Sequence, residues 1–212
     1  MQMIIEAHDL VLFQGDSITD TKRDRQTDSL GTGYAYIAAS IFSSIHPELQ
    51  VRFLNRGISG NRVKDLEQRW DEDCLNLKPN VLSILIGIND CWKRFSQNDP
   101  TSTESYRDGY ERILTRVKES SPATKLIILE PFLVPAKEEQ KAWREDLDPK
   151  IQAVRELARE FGATYVPLDG LFAAACAQAD PIYWAPDGVH PSPAGHGLIA
   201  RAWLEAVGVK GI

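Results

Sequence analysis

Short apolar runs alternate with longer stretches of helical periodicity along the chain. Leu10–Phe13, Val51–Leu54, Val81–Ile86, Leu126–Leu129 and Thr164–Val166 are brief and mostly rich in branched residues. They lack polar alternation, as expected of parallel strands covered on both faces. Between them, apolar residues recur at helical spacing: Tyr34, Ile37, Ala38, Ile41 and Ile45, then Val63, Leu66, Trp70 and Cys74. Tyr106, Tyr110, Ile113, Leu114 and Val117 form a third stripe, Leu147, Ile151, Val154, Leu157 and Phe161 a fourth. Leu198, Ile199, Ala202, Trp203 and Ala206 form the last. Repeated strand–helix alternation predicts a parallel sheet with helices on both faces, because right-handed crossovers leave little else. No linker, repeat or charge block interrupts it, so the expectation is one α/β domain spanning 1–212.

That architecture directs attention to the loops after the strands, where open α/β sheets hold their ligands. After the first strand comes Gly15-Asp16-Ser17-Ile18-Thr19, which places a serine at the top of the sheet. Asp and Ser are also favoured turn and cap residues, so the pentapeptide by itself is ambiguous. After the second strand, Gly57-Ile58-Ser59-Gly60 puts glycines around a turn, where the Gly60 N–H can face an open cavity. After the third, Gly87-Ile88-Asn89-Asp90 offers either a neutral side-chain donor or a helix cap. Near the C-terminus, Ser192 and Pro193 suit the start of the last helix. This leaves Asp187 and His190 on the preceding loop, three residues apart. A carboxylate at that spacing can hold imidazole Nδ1 and leave Nε2 outward, the tautomer a general base needs. A serine, an acid-oriented base and converging donors from Ser17, Gly60 and Asn89 together serve acyl transfer. His196 falls on the last helix and reads as a packing residue.

Composition narrows the classes. The 212 residues carry 24 Lys plus Arg against 30 Asp plus Glu, a net charge of −6, which argues against nucleic acid as main partner. No apolar run approaches a membrane span. The opening MQMIIEAHDLVLFQGDS has no basic n-region, so no signal peptide is expected. Cys74, Cys91 and Cys176 are odd in number with no C-x-x-C spacing, which fits reduced thiols in a cytoplasmic protein. Nothing resembles a close metal-ligand pair, so no metal or other cofactor is expected, and a metal hydrolase built on Asp187, His190 and His196 is disfavoured. The G-x-S-x-G elbow of α/β-hydrolases is absent from the sequence.

The ordered blocks GDSIT at 15–19, Gly60 within NRGISGN, GIND at 87–90 and DGVHP at 187–191 resemble the SGNH (GDSL-type) hydrolase family. The four-block combination is specific and spans nearly the whole chain. The resemblance implies a flavodoxin-like three-layer α/β/α fold with about five parallel strands. It also implies Ser17 as nucleophile, His190 as base, Asp187 as its orienting acid, and an oxyanion hole from Ser17, Gly60 and Asn89. Within the family, GDSITD, GTGY, RW, IGINDCW and VHPSPAGH are most similar to the short intracellular bacterial acetylxylan esterases. That implies removal of O-acetyl groups from xylo-oligosaccharides or related small acetylated carbohydrates, by a homo-oligomer. One departure stands out: in those enzymes a Trp directly precedes the block's Asp, whereas Ala185 and Pro186 separate Trp184 from Asp187 here. Trp92 and Trp184 are the candidates for stacking on a sugar. The competing readings are an SGNH lysophospholipase or thioesterase taking longer acyl chains, against which stands the lack of an apolar lid, and a non-catalytic carbohydrate-binding protein.

Overall fold

The computed structural model describes residues 2–211. Five parallel strands, β1 (Leu10–Gly15), β2 (Arg52–Asn55), β3 (Val81–Leu85), β4 (Lys125–Leu129) and β5 (Thr164–Val166), form one sheet in the order β2-β1-β3-β4-β5. Each lies within two residues of the apolar run that predicted it. The helices, in chain order, are α1 (Ser17–Asp20), α2 (Tyr34–Ile45), α3 (Val63–Gln68), α4 (Trp70–Asp73) and α5 (Ile88–Gln97). They continue with α6 (Thr103–Ser120), α7 (Arg144–Glu160), α8 (Leu168–Cys176), α9 (Pro181–Trp184) and α10 (Pro193–Ala206).

The strands read as continuous apolar runs because successive side chains enter opposite layers. In β1, Val11 and Phe13 join the layer containing α2, α8 and α10, while Leu12 joins the layer of α3 and α6. In β4, Ile127 and Leu129 face the first layer, Leu126 and Ile128 the second. With both faces covered, every strand position is under pressure to be apolar. This is the three-layer α/β/α arrangement that the alternation predicted.

The second helical stripe is realised differently from its periodicity. The chain breaks between α3 and α4 at Arg69. Its guanidinium reaches Asn61 Oδ1, the Arg56 carbonyl, Gln14 Oε1 and Asp73 Oδ2, at 2.8 to 3.1 Å. Those contacts tie the break to the ends of β1 and β2. Trp70 stays buried, its indole N–H donating to the Ile113 carbonyl of α6 at 3.0 Å.

Strand order reverses between β1 and β3, and ligands in such sheets bind outside the carboxyl ends at that reversal. The loop after β1 carries Ser17 and the loop after β3 carries Asn89. The topology therefore puts both at the same crevice.

Candidate active site

The cap reading of the first motif applies to Asp16, not to Ser17. Asp16 Oδ1 accepts from the Ile18 N–H at 2.9 Å and starts α1, which leaves the Ser17 hydroxyl free. Burial pushes the Asp16 carboxyl up to about 7, and its Oδ2 has no partner. Ser17 Oγ lies 2.9 Å from His190 Nε2, across 173 residues of sequence. Asp187 Oδ2 lies 2.6 Å from His190 Nδ1. The other oxygen, Oδ1, accepts from the backbone N–H groups of Val189 (3.0 Å) and His190 (2.7 Å). Burial alone would raise the Asp187 carboxyl; the hydrogen bonds from the His190 ring and these two amides outweigh it and hold it below the ordinary carboxylate range.

Each of the three expected donors keeps an N–H without an acceptor among the described residues. The backbone N–H groups of Ser17 and Gly60 are donated to no acceptor among the described residues. Gly60 has φ +81°, and a Cβ there would meet nothing within 4 Å, so the glycine answers to backbone conformation and not to crowding. Asn89 Nδ2 gives one hydrogen to the Asn61 carbonyl at 3.1 Å, beside Gly60, and keeps a second.

Several residues that sequence reasoning missed hold these groups in register. Asn55 Oδ1 accepts from Gly57 N–H, and its Nδ2 donates to the carbonyls of Thr19 and Leu30, at 2.6 to 2.9 Å. Asp20 accepts from both the N–H and the hydroxyl of Ser59, at 2.9 Å. Asp90 Oδ2 accepts from Val63 N–H at the start of α3, 3.2 Å away, and so ties the Gly60 loop to the helix bearing Asn89. Burial pushes Asp90 up to about 7. On the far side, Gln140 Nε2 donates to the Asp187 carbonyl at 2.7 Å, while its Oε1 accepts from the Ala136 and Lys137 amides. Gly188, at φ +86°, packs against that amide so closely that a Cβ would stand 2.5 Å from Gln140 Oε1. Asp20, Asn55, Asp90 and Gly188 lie inside the motif blocks but show their roles only through partners that folding brings to them, and Gln140 lies outside every block.

The two tryptophans separate. Trp92, on α5, is brought beside the base, its ring 5.7 Å from the His190 ring and edge-on to it. Trp143 and Phe95 continue this aromatic cluster, Trp143 lying 6.0 Å from Trp92 and 5.4 Å from Phe95. Trp184 is not brought to the serine: its indole N–H is committed to the Ala175 carbonyl at 3.1 Å, and it lines a different depression with Leu198 and Arg201. α9 ends at Trp184, and Ala185 and Pro186 carry the chain from it to Asp187.

A cavity of about 470 Å³ opens at Ser17 and His190, walled by Ile18, Ile37, Pro191 and Pro193 and by the hydroxyl-bearing Thr21, Thr32 and Ser59. His196 also lines it, contrary to its expectation as a packing residue. No cluster of three His, Cys, Asp or Glu residues suited to a metal ion occurs among the described residues. The three cysteines are free thiols. No helix among the described residues is long and apolar enough to cross a membrane.

Residues 13–198 match the model of the GDSL-like Lipase/Acylhydrolase family. The chain belongs to that family, carboxylic ester hydrolases built on the fold described above. It is 37% identical over 215 residues to an acetylxylan esterase from Geobacillus stearothermophilus, with 98% of each chain covered. The solved structure of that organism's acetylxylan esterase Axe2 superimposes with a TM-score of 0.90 at 34% identity over 97% of each chain. Two solved variants of Axe2 are catalytic mutants, a serine and a histidine respectively being replaced by alanine. The structure of LAE5, an alpha/beta hydrolase enzyme from the metagenome of Lake Arreo, Spain, matches with a TM-score of 0.92 at 30% identity over the full length of both chains.

Proposed function

We propose that the chain is a serine esterase that removes O-acetyl groups from xylo-oligosaccharides or related acetylated sugars, working as one domain over 1–212. The observation that carries the chemistry is the continuous relay from Ser17 Oγ through His190 to Asp187, at 2.9 and 2.6 Å, beside two undonated backbone amides. The relatedness to acetylxylan esterases over the whole chain supports the substrate class.

In this mechanism His190 Nε2 takes the Ser17 proton as Oγ attacks the acetyl carbonyl. The ring becomes an imidazolium, and Asp187, held ionised, stabilises it. Negative charge develops on the carbonyl oxygen, which the Ser17 and Gly60 amides and the second Asn89 hydrogen receive. Collapse expels the sugar oxygen, which takes the proton from His190 and leaves an acetyl ester on Ser17. Water, deprotonated by His190, then attacks that ester through the same oxyanion geometry; collapse expels Ser17 Oγ, which takes the proton back from His190, and acetate is released. Trp92 walls the imidazole and offers a flat apolar surface for a pyranose. Trp184 carries no part of this proposal.

The reading also places the protein in the cytoplasm as a homo-oligomer. The three free thiols support the first, and the resemblance to the intracellular acetylxylan esterases supports the second. The decisive experiment is acetate release from acetylated xylo-oligosaccharides by wild type and Ser17→Ala side by side. Release that vanishes in the variant is the expected result. Cleavage of p-nitrophenyl acetate through Ser17 with the sugars untouched would keep the mechanism and overturn the substrate. A preference for octanoyl over acetyl esters of one alcohol would favour the longer-chain reading.

A further inference from the structure

The cavity at Ser17 is large for an acetyl group. Since a water molecule occupies about 30 Å³ of liquid, three heavy atoms of acetyl leave most of the 470 Å³ to whatever alcohol the ester carries. The walls are mixed: Ile37, Pro191 and Pro193 on the apolar side, the hydroxyls of Thr21, Thr32 and Ser59 and the Lys22 side chain on the polar side. A second imidazole, that of His196, stands in this wall alongside His190.

The state of the His196 ring follows from its partner. Its Nδ1 accepts from the backbone N–H of Tyr34 at 3.2 Å. Tyr34 is the first residue of α2, and Gly33 before it has no side chain to cap that helix end. The ring of α10 thus caps α2 from outside. A nitrogen that accepts carries no proton, so the single ring proton of the neutral form is on Nε2. Protonating Nδ1 would set two N–H groups against each other at the positive end of a helix. Burial, with the nearby His190, pushes the ring's pKa down to about 4. The Nε2–H has no acceptor among the described residues. The site therefore contains a donor that is fixed in tautomer, uncharged and unclaimed.

We propose that His196 is the specificity-determining residue for the alcohol half of the substrate, its Nε2–H donating to a hydroxyl or ring oxygen of the departing sugar. This rests on the acetyl-sugar reading above. An alcohol without an oxygen at that reach leaves the donor unpaired on binding, which is how a hydrogen-bonding site rejects an analogue of similar bulk.

Two substitutions separate the cap from the donor. Asn at 196 can offer Oδ1 to Tyr34 N–H but places nothing at the Nε2 position; Gln reaches that position with an amide N–H and gives up the cap. The measurement is the ratio of kcat/KM for an acetylated xylo-oligosaccharide to kcat/KM for ethyl acetate, with thermal midpoints taken in parallel. In His196→Asn the ratio is expected to fall about 10-fold, the worth of one neutral hydrogen bond. His196→Gln is expected to hold it within about 3-fold of wild type. If Asn keeps the wild-type ratio, or if both variants lower the two substrates in parallel, His196 is only a cap and the proposal fails. If wild type itself shows no preference for the sugar ester, the substrate reading falls and takes this role with it.

Discussion

The corner that holds Ser17 and the loop that holds His190 meet at one hydrogen bond, yet they are built in opposite ways. The Ser17 corner is assembled from segments far apart in sequence: Ile58 N–H donates to the Gly15 carbonyl, Asn89 to Asn61, Arg69 to Gln14, and Val63 N–H to Asp90. Its polar anchors, Asp16, Asn55 and Asp90, are buried. The Asp187–His190 pair is organised within four residues by a turn in which one carboxylate binds two amides and the ring. Its side chains remain 47% and 42% exposed. A nucleophile with its oxyanion donors needs several chain segments in fixed register, and only burial supplies that rigidity. An acid and a base need only each other, plus an aim, and the aim comes from Gln140 and from Val134 N–H on the Gly188 carbonyl.

The largest effect is expected from spoiling the local pair while leaving its turn intact. In Asp187→Asn, Oδ1 can still accept from Val189 and His190, but the amide now faces Nδ1 with a donor and flips the tautomer. A loss of about 10³–10⁴-fold in kcat with an unchanged thermal midpoint is expected; a loss under 10-fold would separate Asp187 from the base. Next comes the buried corner. Removing one oxyanion donor in Asn89→Ala should cost about 100–1000-fold in turnover while the protein stays folded, checked by steady-state kinetics alongside circular dichroism. Retention of half the wild-type rate would remove Asn89 from the oxyanion hole.

A smaller effect sharpens the aim of the loop. Gln140→Ala deletes the tether to the Asp187 carbonyl without touching the acid, the base or the serine. About 10-fold in kcat is expected, with little change in KM, since misplaced catalytic groups slow chemistry before they weaken binding. A rise in KM alone would mean that Gln140 shapes the pocket and not the pair.

The last effect falls on stability, where His196 and the buried corner carry pH dependences of opposite sign. His196 has its pKa lowered in the folded state, so between the ordinary imidazole value and about 4 the unfolded chain binds more protons. Its contribution is full above pH 6.5 and is lost as pH falls toward 4, by up to about 3 kcal/mol at full value and less where pocket water screens the ring. Asp16 and Asp90, raised to about 7, stay protonated longer in the folded state, so their contribution shrinks as pH rises from 4 to 7. Denaturant midpoints of wild type and His196→Asn at pH 7 and pH 4.5 isolate the histidine. The variant is expected to lose less stability on acidification than wild type, and equal losses would contradict the assignment of the neutral ring.

Much of this was open to reading along the chain. Strands with both faces buried must be apolar throughout, and crossover helices must be amphipathic, so the alternation itself dictated a parallel sheet between two layers. The cap Ser192 and Pro193 announced the start of α10, and its side chain does accept from Gly195 N–H. The pairing of Asp187 with His190 was legible for the same reason: it is a turn, and turns are local. The tertiary structure decided what depends on direction. Periodicity ran Val63 to Cys74 as one helix, and Arg69 broke it by reaching for the ends of two strands. Spacing made Trp92 and Trp184 equal candidates, and packing sent one to the base and the other to the Ala175 carbonyl. His196 looked like one more helix residue until α2 arrived beside it with an uncapped N–H. A sequence determines which faces are apolar and which short segments turn; where a side chain finally points is settled by partners that only folding brings within 3 Å of it.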